Sequence, residues 1–328
     1  MNKVIKYNDA ENYTVGRLWL MRGLTFIVGA ADWSTRYSRI RNGLLLTNMT
    51  LYTVTSEIFT ESGNSYIKCK NDTAISKFIF KYPSYMIKPK CLNDLIYDND
   101  DDIDIDRQQE GKLLIEHHIS TELQHVGLQV WRGALLLADY ILSNPNLFKN
   151  KVILELGAGV GLTSIVASFP AAEVICTDID VKGILKLIHR NFIRNKAYIK
   201  SKIYVKELNF LNLKWSTFYK KRINEATVIL AADVIYDEAV TKGFVQTLAE
   251  LLNSDVQKVV YITLEKRYVF TTAKMETIAP MYEEFLNLIE AKHLNWHIEY
   301  IKIDFPQYFK YNRVKQMVLI KIENKLCK

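Results

Sequence analysis

Three glycines at alternate positions, Gly157, Gly159 and Gly161, follow the apolar run Val152-Ile153-Leu154-Glu155-Leu156 and precede the helical pattern Leu162 to Ala167. A strand that breaks into such a turn and then into a helix brings backbone, Ala158 included, close to a ligand and leaves the first helical amides facing it. Downstream, Val174-Ile175-Cys176-Thr177-Asp178 reads as a second strand ending in a carboxylate placed to accept ribose hydroxyls. Binding of a nucleoside-containing ligand is the first expectation, and a purely structural glycine turn in another α/β sheet is the alternative. The spacing departs from the dinucleotide fingerprint. Its sixth position holds Leu162 rather than glycine, and an acid, Glu155, stands two residues before the first glycine.

A second group of residues carries different chemistry. The apolar strand Val228-Ile229-Leu230-Ala231-Ala232 ends in Asp233, with Tyr236 three residues on. A carboxylate and a phenol at a strand end face a cleft, where the carboxylate can bind and orient an amine. A lysine amine, with a reference pKa near ~10.4, must lose its proton before it attacks anything. An adjacent carboxylate holds that proton on, so Asp233 is expected to position rather than to act as a strong base. Asp237 is expected to cap the following helix. Between the two groups, Asn209 and Phe210 offer an amide and an aromatic at a third strand end; a loop amide and a core phenylalanine is the equal alternative. His117, His118 and His125 lack metal-ligand spacing, and no metal site is expected. No G-x-S-x-G elbow or G-K-[ST] loop occurs.

The elements that must position these groups alternate. Helical spacing over 129–142 precedes the glycine turn, and a helix over 181–195 with Asp180 as its cap follows the second strand. Then come a strand over 203–208, an irregular stretch through Trp215, a strand over 227–233 and a helix over 237–252. A strand over 258–265, a helix over 275–294 and two strands with no helix between them, 296–303 and 316–322, complete the chain. Alternation of this kind makes a parallel sheet covered on both faces, with the last two strands as an antiparallel pair at one edge. Upstream, residues 1–48 have no clear periodicity. Residues 49–93 read as a small β-meander, with Glu61-Ser62-Gly63-Asn64 as a hairpin turn. Residues 94–111 read as an acidic linker, and the main domain is expected over 112–328.

Composition adds bounds. With 49% hydrophobic and 24% charged residues the chain is ordinary for a globular protein. The net charge of +7 conceals an asymmetry: residues 94–106 hold seven Asp and no Lys or Arg, so the remainder sets 43 basic residues against 29 acidic ones. Such a surface suits acidic partners, and equally a merely lysine-rich solvated face. The four cysteines show no C-x-x-C pairing, which fits a reducing compartment. No apolar run reaches the roughly 18 residues that span a bilayer, so no membrane partner is expected. Residues 17–31 faintly resemble a signal peptide, interrupted by Arg22.

The pattern Glu155-x-Gly157-x-Gly159-x-Gly161 resembles motif I of class I S-adenosylmethionine (SAM) methyltransferases, whose ligand has no pyrophosphate to cradle. Asp233-Val234-Ile235-Tyr236 is similar to the D-x-x-Y motif of the seven-β-strand protein-lysine methyltransferases. Val126 to Leu142, Lys206-Glu207-Leu208, Glu265-Lys266-Arg267 and Phe305-Pro306-Gln307 resemble one branch of that family. The resemblance covers about 112–322 and implies a doubly wound, mostly parallel seven-stranded Rossmann-like α/β sheet with a small N-terminal β-rich extension. It implies SAM as cofactor, bound by Glu155, Gly157, Ala158, Gly159, Gly161, Asp178, Asn209 and Phe210, with Trp131 and Ala231 lining the site by correspondence. Asp233 and Tyr236 then receive the target lysine. Further implications are protein substrates such as nucleic-acid-binding factors, chaperone partners, and residence in nucleus or cytoplasm. The family often has Asp-Trp where this chain has Asn209-Phe210. Two rivals stay open: a nucleic-acid N-methyltransferase, although no N/D-P-P-[YFW] motif is present and direct nucleic-acid binding is not expected, and a SAM-fold scaffold without turnover.

Overall fold

The computed structural model describes residues 20–21, 24–25, 53–59, 66–69, 73–86, 110–212, 217–271, 276–294 and 296–324. The acidic run 98–106 and the expected turn 61–64 lie outside these residues. Leu20–Met21 pairs with Leu24–Thr25 as a short antiparallel ladder.

Among the described residues a three-stranded sheet precedes the main one: β1 (Tyr66–Lys68), β2 (Thr73–Lys81) and β3 (Glu110–His118), antiparallel in the order β1-β2-β3. β2 alternates buried and open residues (Ala74, Ser76, Phe78 and Phe80 inward), the period of a half-buried strand. A boundary at residue 112 therefore falls inside β3, which pairs with β2 from Thr73–His118 to Lys81–Glu110. Within the expected meander, Thr53–Val54 pairs with Thr121–Glu122 rather than with β1.

The main sheet contains β4 (Val152–Leu156), β5 (Glu173–Asp178), β6 (Lys202–Glu207), β7 (Val228–Ala232), β8 (Val259–Glu265), β9 (Trp296–Ile301) and β10 (Met317–Asn324). Its order is β6-β5-β4-β7-β8-β10-β9. The first five are parallel, and β10 runs antiparallel to both β8 and β9, as the closing helix-free pair implied. Strand order reverses direction between β4 and β7, and a crevice opens at such a switch beyond the carboxyl ends.

Among the described residues six helices longer than one turn flank the sheet: α1 (Arg132–Ser143), α2 (Leu162–Ala167), α3 (Ile184–Arg194), α4 (Thr217–Glu225), α5 (Glu238–Leu252) and α6 (Pro280–Ala291). β7 shows how the core divides. Val228 and Leu230 pack with Leu135, Ile153 and Val174 on one face, whereas Ile229 and Ala231 pack with Phe244, Phe285 and Ile262 on the other. Strands apolar on both sides are what a doubly covered parallel sheet requires.

Two local expectations are corrected. α3 starts at Ile184 behind Gly183 in the left-handed region (φ 75°) without a side-chain cap, so Asp180 does not cap it. The helix expected from residue 275 begins at Pro280, whose fixed φ suits a first helical position, and Glu276–Ile278 instead pairs with Val269–Thr271. α4 begins after the stretch through Trp215 that read as irregular, over residues to which the sequence reading gave no element. Asp237 does cap α5, accepting from the Val240 amide at 3.0 Å.

Candidate active site at the switch between β4 and β7

β4 ends in a turn whose three glycines all have positive φ: 65° at Gly157, 56° at Gly159 and 86° at Gly161. Any Cβ would be strained there, and at two positions it would also collide. A Cβ on Gly157 would lie 2.7 Å from Val234 Cγ1, and one on Gly159 would lie 3.0 Å from the Gly127 carbonyl. The segment before α1 thus lies directly against the turn. Gln129 holds that segment, accepting from the Ser56 amide at 2.8 Å and donating to the Val54 carbonyl and the Thr121 hydroxyl at 2.9 and 2.7 Å.

At the end of β5, Asp178 accepts from the Gly159 amide at 2.7 Å and from the Ile179 amide at 2.8 Å. Burial pushes its carboxyl up to about 6, while those amides pull the other way. Each oxygen keeps a second lone pair, the acceptor capacity that ribose hydroxyls need. Phe210 follows β6, its ring 5.6 Å from Phe244 and its Cζ 3.7 Å from where a Gly157 Cβ would stand, so it walls the crevice beside the turn. Asn209 is half-buried, with Oδ1 accepting from the Leu211 amide at 2.9 Å. Gly157, Ala158 and Gly159 are likewise half-buried. Open backbone, a strand-end carboxylate and an aromatic wall fit SAM.

Three expected contacts are corrected. Glu155 is 1% exposed and accepts from the Ser164 hydroxyl behind the turn, so it ties β4 to α2 rather than touching a ligand. Burial pushes its carboxyl up to about 7. Gly161 is buried, packs at 3.2 Å (as a Cβ would) on Ile188 Cγ2, and donates to the Ala158 carbonyl at 2.9 Å; it closes the turn. Ala231 is fully buried within β7 and presents no surface.

Asp233 leaves β7 in the left-handed region, φ 53°, which is uncommon without glycine and marks a constrained position. Its backbone amide donates to the Thr263 carbonyl at 2.8 Å. Its Oδ2 accepts from the Gly133 amide at 2.7 Å and its Oδ1 from the Glu265 amide at 3.1 Å. Gly133 is in the first turn of α1, whose own N-cap, Trp131, supplies no side-chain acceptor. Asp233 therefore caps α1 from across the sheet, where the helix dipole favours a negative charge. A Cβ on Gly133 would stand 2.5 Å from Oδ2, so glycine is what admits the carboxylate. Burial pushes Asp233 up to about 6, opposed by Arg267 and the two amides. Tyr236 is 41% exposed; burial of its phenol, with the charges of Asp178 and Asp237, raises it above the usual tyrosine value. Asp178 and Tyr236 thus belong to one electrostatic neighbourhood, which joins the two groups of residues picked out in the sequence.

Trp131 is half-buried at the start of α1, its Nε1 donating to the Val126 carbonyl at 2.9 Å. Sequence reasoning passed over four residues around it. Arg132 pairs with Glu265 at 2.8 Å, and Arg267 pairs with Glu57 at 2.5 Å while lying 5.4 Å from the Trp131 ring centroid. Arg132, Glu265 and Arg267 were visible within family-like stretches; Glu57 carried no signal. Of the histidines picked out in the sequence, His117 is a packing group: it is buried, hydrogen-bonded through Nε2 to the Ser76 hydroxyl at 2.7 Å and stacked on Phe59 at 4.2 Å, whereas His125 lies 3.6 Å from Glu122. Among the described residues no cluster of His, Cys, Asp or Glu is arranged to hold a metal, and no helix is long and apolar enough to cross a membrane.

The chain is similar to known proteins. The family described as "Lysine methyltransferase" matches residues 108–297. Methyltransferase-like protein 22 of Mus musculus is 34% identical over 73% of this chain and 67% of its own length. The Homo sapiens protein of that name is 33% identical over 73% of this chain and 65% of its length. Human protein-lysine N-methyltransferase EEF2KMT is 28% identical over 53% of this chain and 52% of its own. The chain thus spans about two thirds of the length of its mouse and human relatives. It belongs to the lysine methyltransferase family and is a SAM-dependent methyltransferase.

Proposed function

We propose that this protein transfers a methyl group from SAM to the side-chain amine of a lysine in a protein substrate. The observation that carries the reading is Asp233: a half-buried carboxylate, fixed by amides from two different elements, beside the glycine turn at the switch point. SAM, when bound, supplies an activated sulfonium methyl, so the protein has only to bind, align and present a neutral nucleophile. Asp178 serves the ribose end, with Phe210 and the open backbone of Gly157 to Gly159 forming the crevice wall. Asp233 orients the incoming amine through lone pairs that Gly133 and Glu265 leave unused. Tyr236 and Trp131 wall the amine's approach and limit water. Because Asp233 favours the ammonium form, the proton departs to solvent along the exposed face of Tyr236 rather than to the carboxylate. Nucleic-acid-binding target proteins, chaperone partners and a nuclear or cytoplasmic setting are part of this reading and rest on the family resemblance.

Incubation of the full chain with methyl-labelled SAM and cell extract tests it. The label is expected in a ribonuclease-resistant protein band that yields methyl-lysine on hydrolysis. Asp233→Ala or Asp233→Asn is expected to lower transfer by about 100-fold or more while SAM still binds. Label lost to ribonuclease, or undiminished in both variants, would contradict the proposal.

A further inference from the structure

Beside Asp233 stands a charged assembly that the reaction as described does not use. The Arg267 guanidinium is held edge-on by Glu57 at 2.5 Å and lies over Trp131 at 5.4 Å. The Trp131 ring is itself fixed by its bond to the Val126 carbonyl. Glu57 belongs to the 53–59 segment, which the main domain receives through the Gln129 bonds to Ser56 and Val54. Two segments distant in sequence from Arg267 thus hold one cation in place. Lysine would not serve equally, because a planar fork can pair with a carboxylate and stack on an indole at once.

We propose that Arg267 is the positioning residue of the amine site: clamped by Glu57 and Trp131, it keeps the Asp233 carboxylate charged in its half-buried setting, and so makes the 53–59 segment part of the catalytic apparatus. The inference deepens the proposed function and rests on it. Asp233 faces Glu265 at the end of β8 and Arg267 just beyond it, and Arg132 at the start of α1 is engaged by Glu265. Asp233 Oδ1 accepts from the Glu265 amide, two residues before Arg267, and Oδ2 from the Gly133 amide, two residues after Trp131. Both sides of the clamp thus flank the carboxylate, and Glu57 acts on it through Arg267. Glu265 is paired with Arg132, which leaves Arg267 as the cation that opposes burial of Asp233 most strongly. Opposite charge at short range favours the ionised carboxylate, and only that form can accept from an ammonium on both oxygens.

The test is the ratio of variant to wild-type kcat/KM against pH for lysine methylation, since titration of the substrate amine cancels in that ratio. For Arg267→Met the ratio is expected to fall about tenfold near pH 6.5 and to recover to within about twofold near pH 9, where Asp233 is ionised without help. Arg267→Lys and Glu57→Gln should show the same pH dependence with smaller amplitude, and SAM affinity should change by less than about threefold in all three. A second readout does not need turnover: the Asp233 carboxyl carbon, followed by NMR in the isotopically labelled full chain, should titrate at higher pH in Arg267→Met. A ratio that is flat across pH, whether near one or uniformly low, together with an unmoved Asp233 titration, overturns the inference. A wild type that binds SAM but methylates no lysine overturns the proposed function instead.

Discussion

Asp178 and Asp233 share one device. Each stands at the end of a parallel strand, and each has both oxygens tied to main-chain amides, at least one of them contributed by another element. Fixed this way, a carboxylate keeps its position and still has lone pairs to offer. The device depends on the glycines that let it in. Gly133→Ala would place a methyl 2.5 Å from Asp233 Oδ2. The variant is expected to lose about 1–3 kcal/mol of stability and most of its methyl transfer, with SAM binding largely kept; thermal unfolding and isotope transfer measure these. Both carboxylates were legible in the sequence because strand-end acids after apolar runs have few structural uses. Gly133 was not, since a glycine near a helix start carries no mark of what approaches it in space. Glu155 misled for a related reason: its place in the glycine motif suggested contact, whereas burial against Ser164 gives it a structural task.

At the scale of elements, alternating strand and helix signals were sufficient for the main sheet, because each βαβ unit is built from neighbours in sequence. The antiparallel sheet was harder. β3 joins β2 across the acidic run, and a pairing partner that distant leaves no local trace. What anchors β3 to the main domain is a pair of side chains that act as strand partners. Asn191 accepts from the Glu116 amide at 2.7 Å and donates to the carbonyls of Glu116 and Val160 at 2.9 Å each; Asn195 repeats the pattern with Leu114. Arg190 and Arg194 add ion pairs to Glu116 at 2.8 and 2.7 Å, and Arg190 foremost holds that carboxyl below its usual value. Asn191→Ala orphans three buried groups and is expected to cost about 2–4 kcal/mol, read as a lower unfolding midpoint in denaturant. An unchanged midpoint would show that β3 is held by its apolar face alone.

For the molecule as a whole, burial of acids at the switch point ties stability to pH. Glu155 in the folded chain is pushed to about 7, above its ordinary value of 4.5. A raised pKa means that the folded state holds its proton more tightly, so the stabilising contribution is full below about 4.5 and is lost as pH rises through 7. Glu155→Gln mimics the protonated form. It is therefore expected to melt close to wild type at pH 4.5 and several degrees above it at pH 8, with a difference of up to about 3 kcal/mol. His117, held by burial down at about 4, acts in the opposite sense, its contribution being lost as pH falls from 6.5 towards 4. The family-like stretch around Phe305 proves to be architecture rather than chemistry. Buried Asp139 on α1 gathers the amides of Tyr308 and Phe309, the Tyr311 hydroxyl and the Arg313 guanidinium, and so pins the segment between β9 and β10.

All of this presumes one crevice in which Asp178 binds a nucleoside and Asp233 receives an amine. The most direct measurement is a calorimetric titration of SAM into the wild type and into Asp178→Ala at several pH values. Binding by the wild type is expected to be level above about pH 7 and to weaken as pH falls through 6, where Asp178 takes up its proton. Asp178→Ala should bind at least about 30-fold more weakly and show no such inflection. A well-folded wild type that takes up no SAM, or an Asp178→Ala variant with undiminished affinity, would contradict the account.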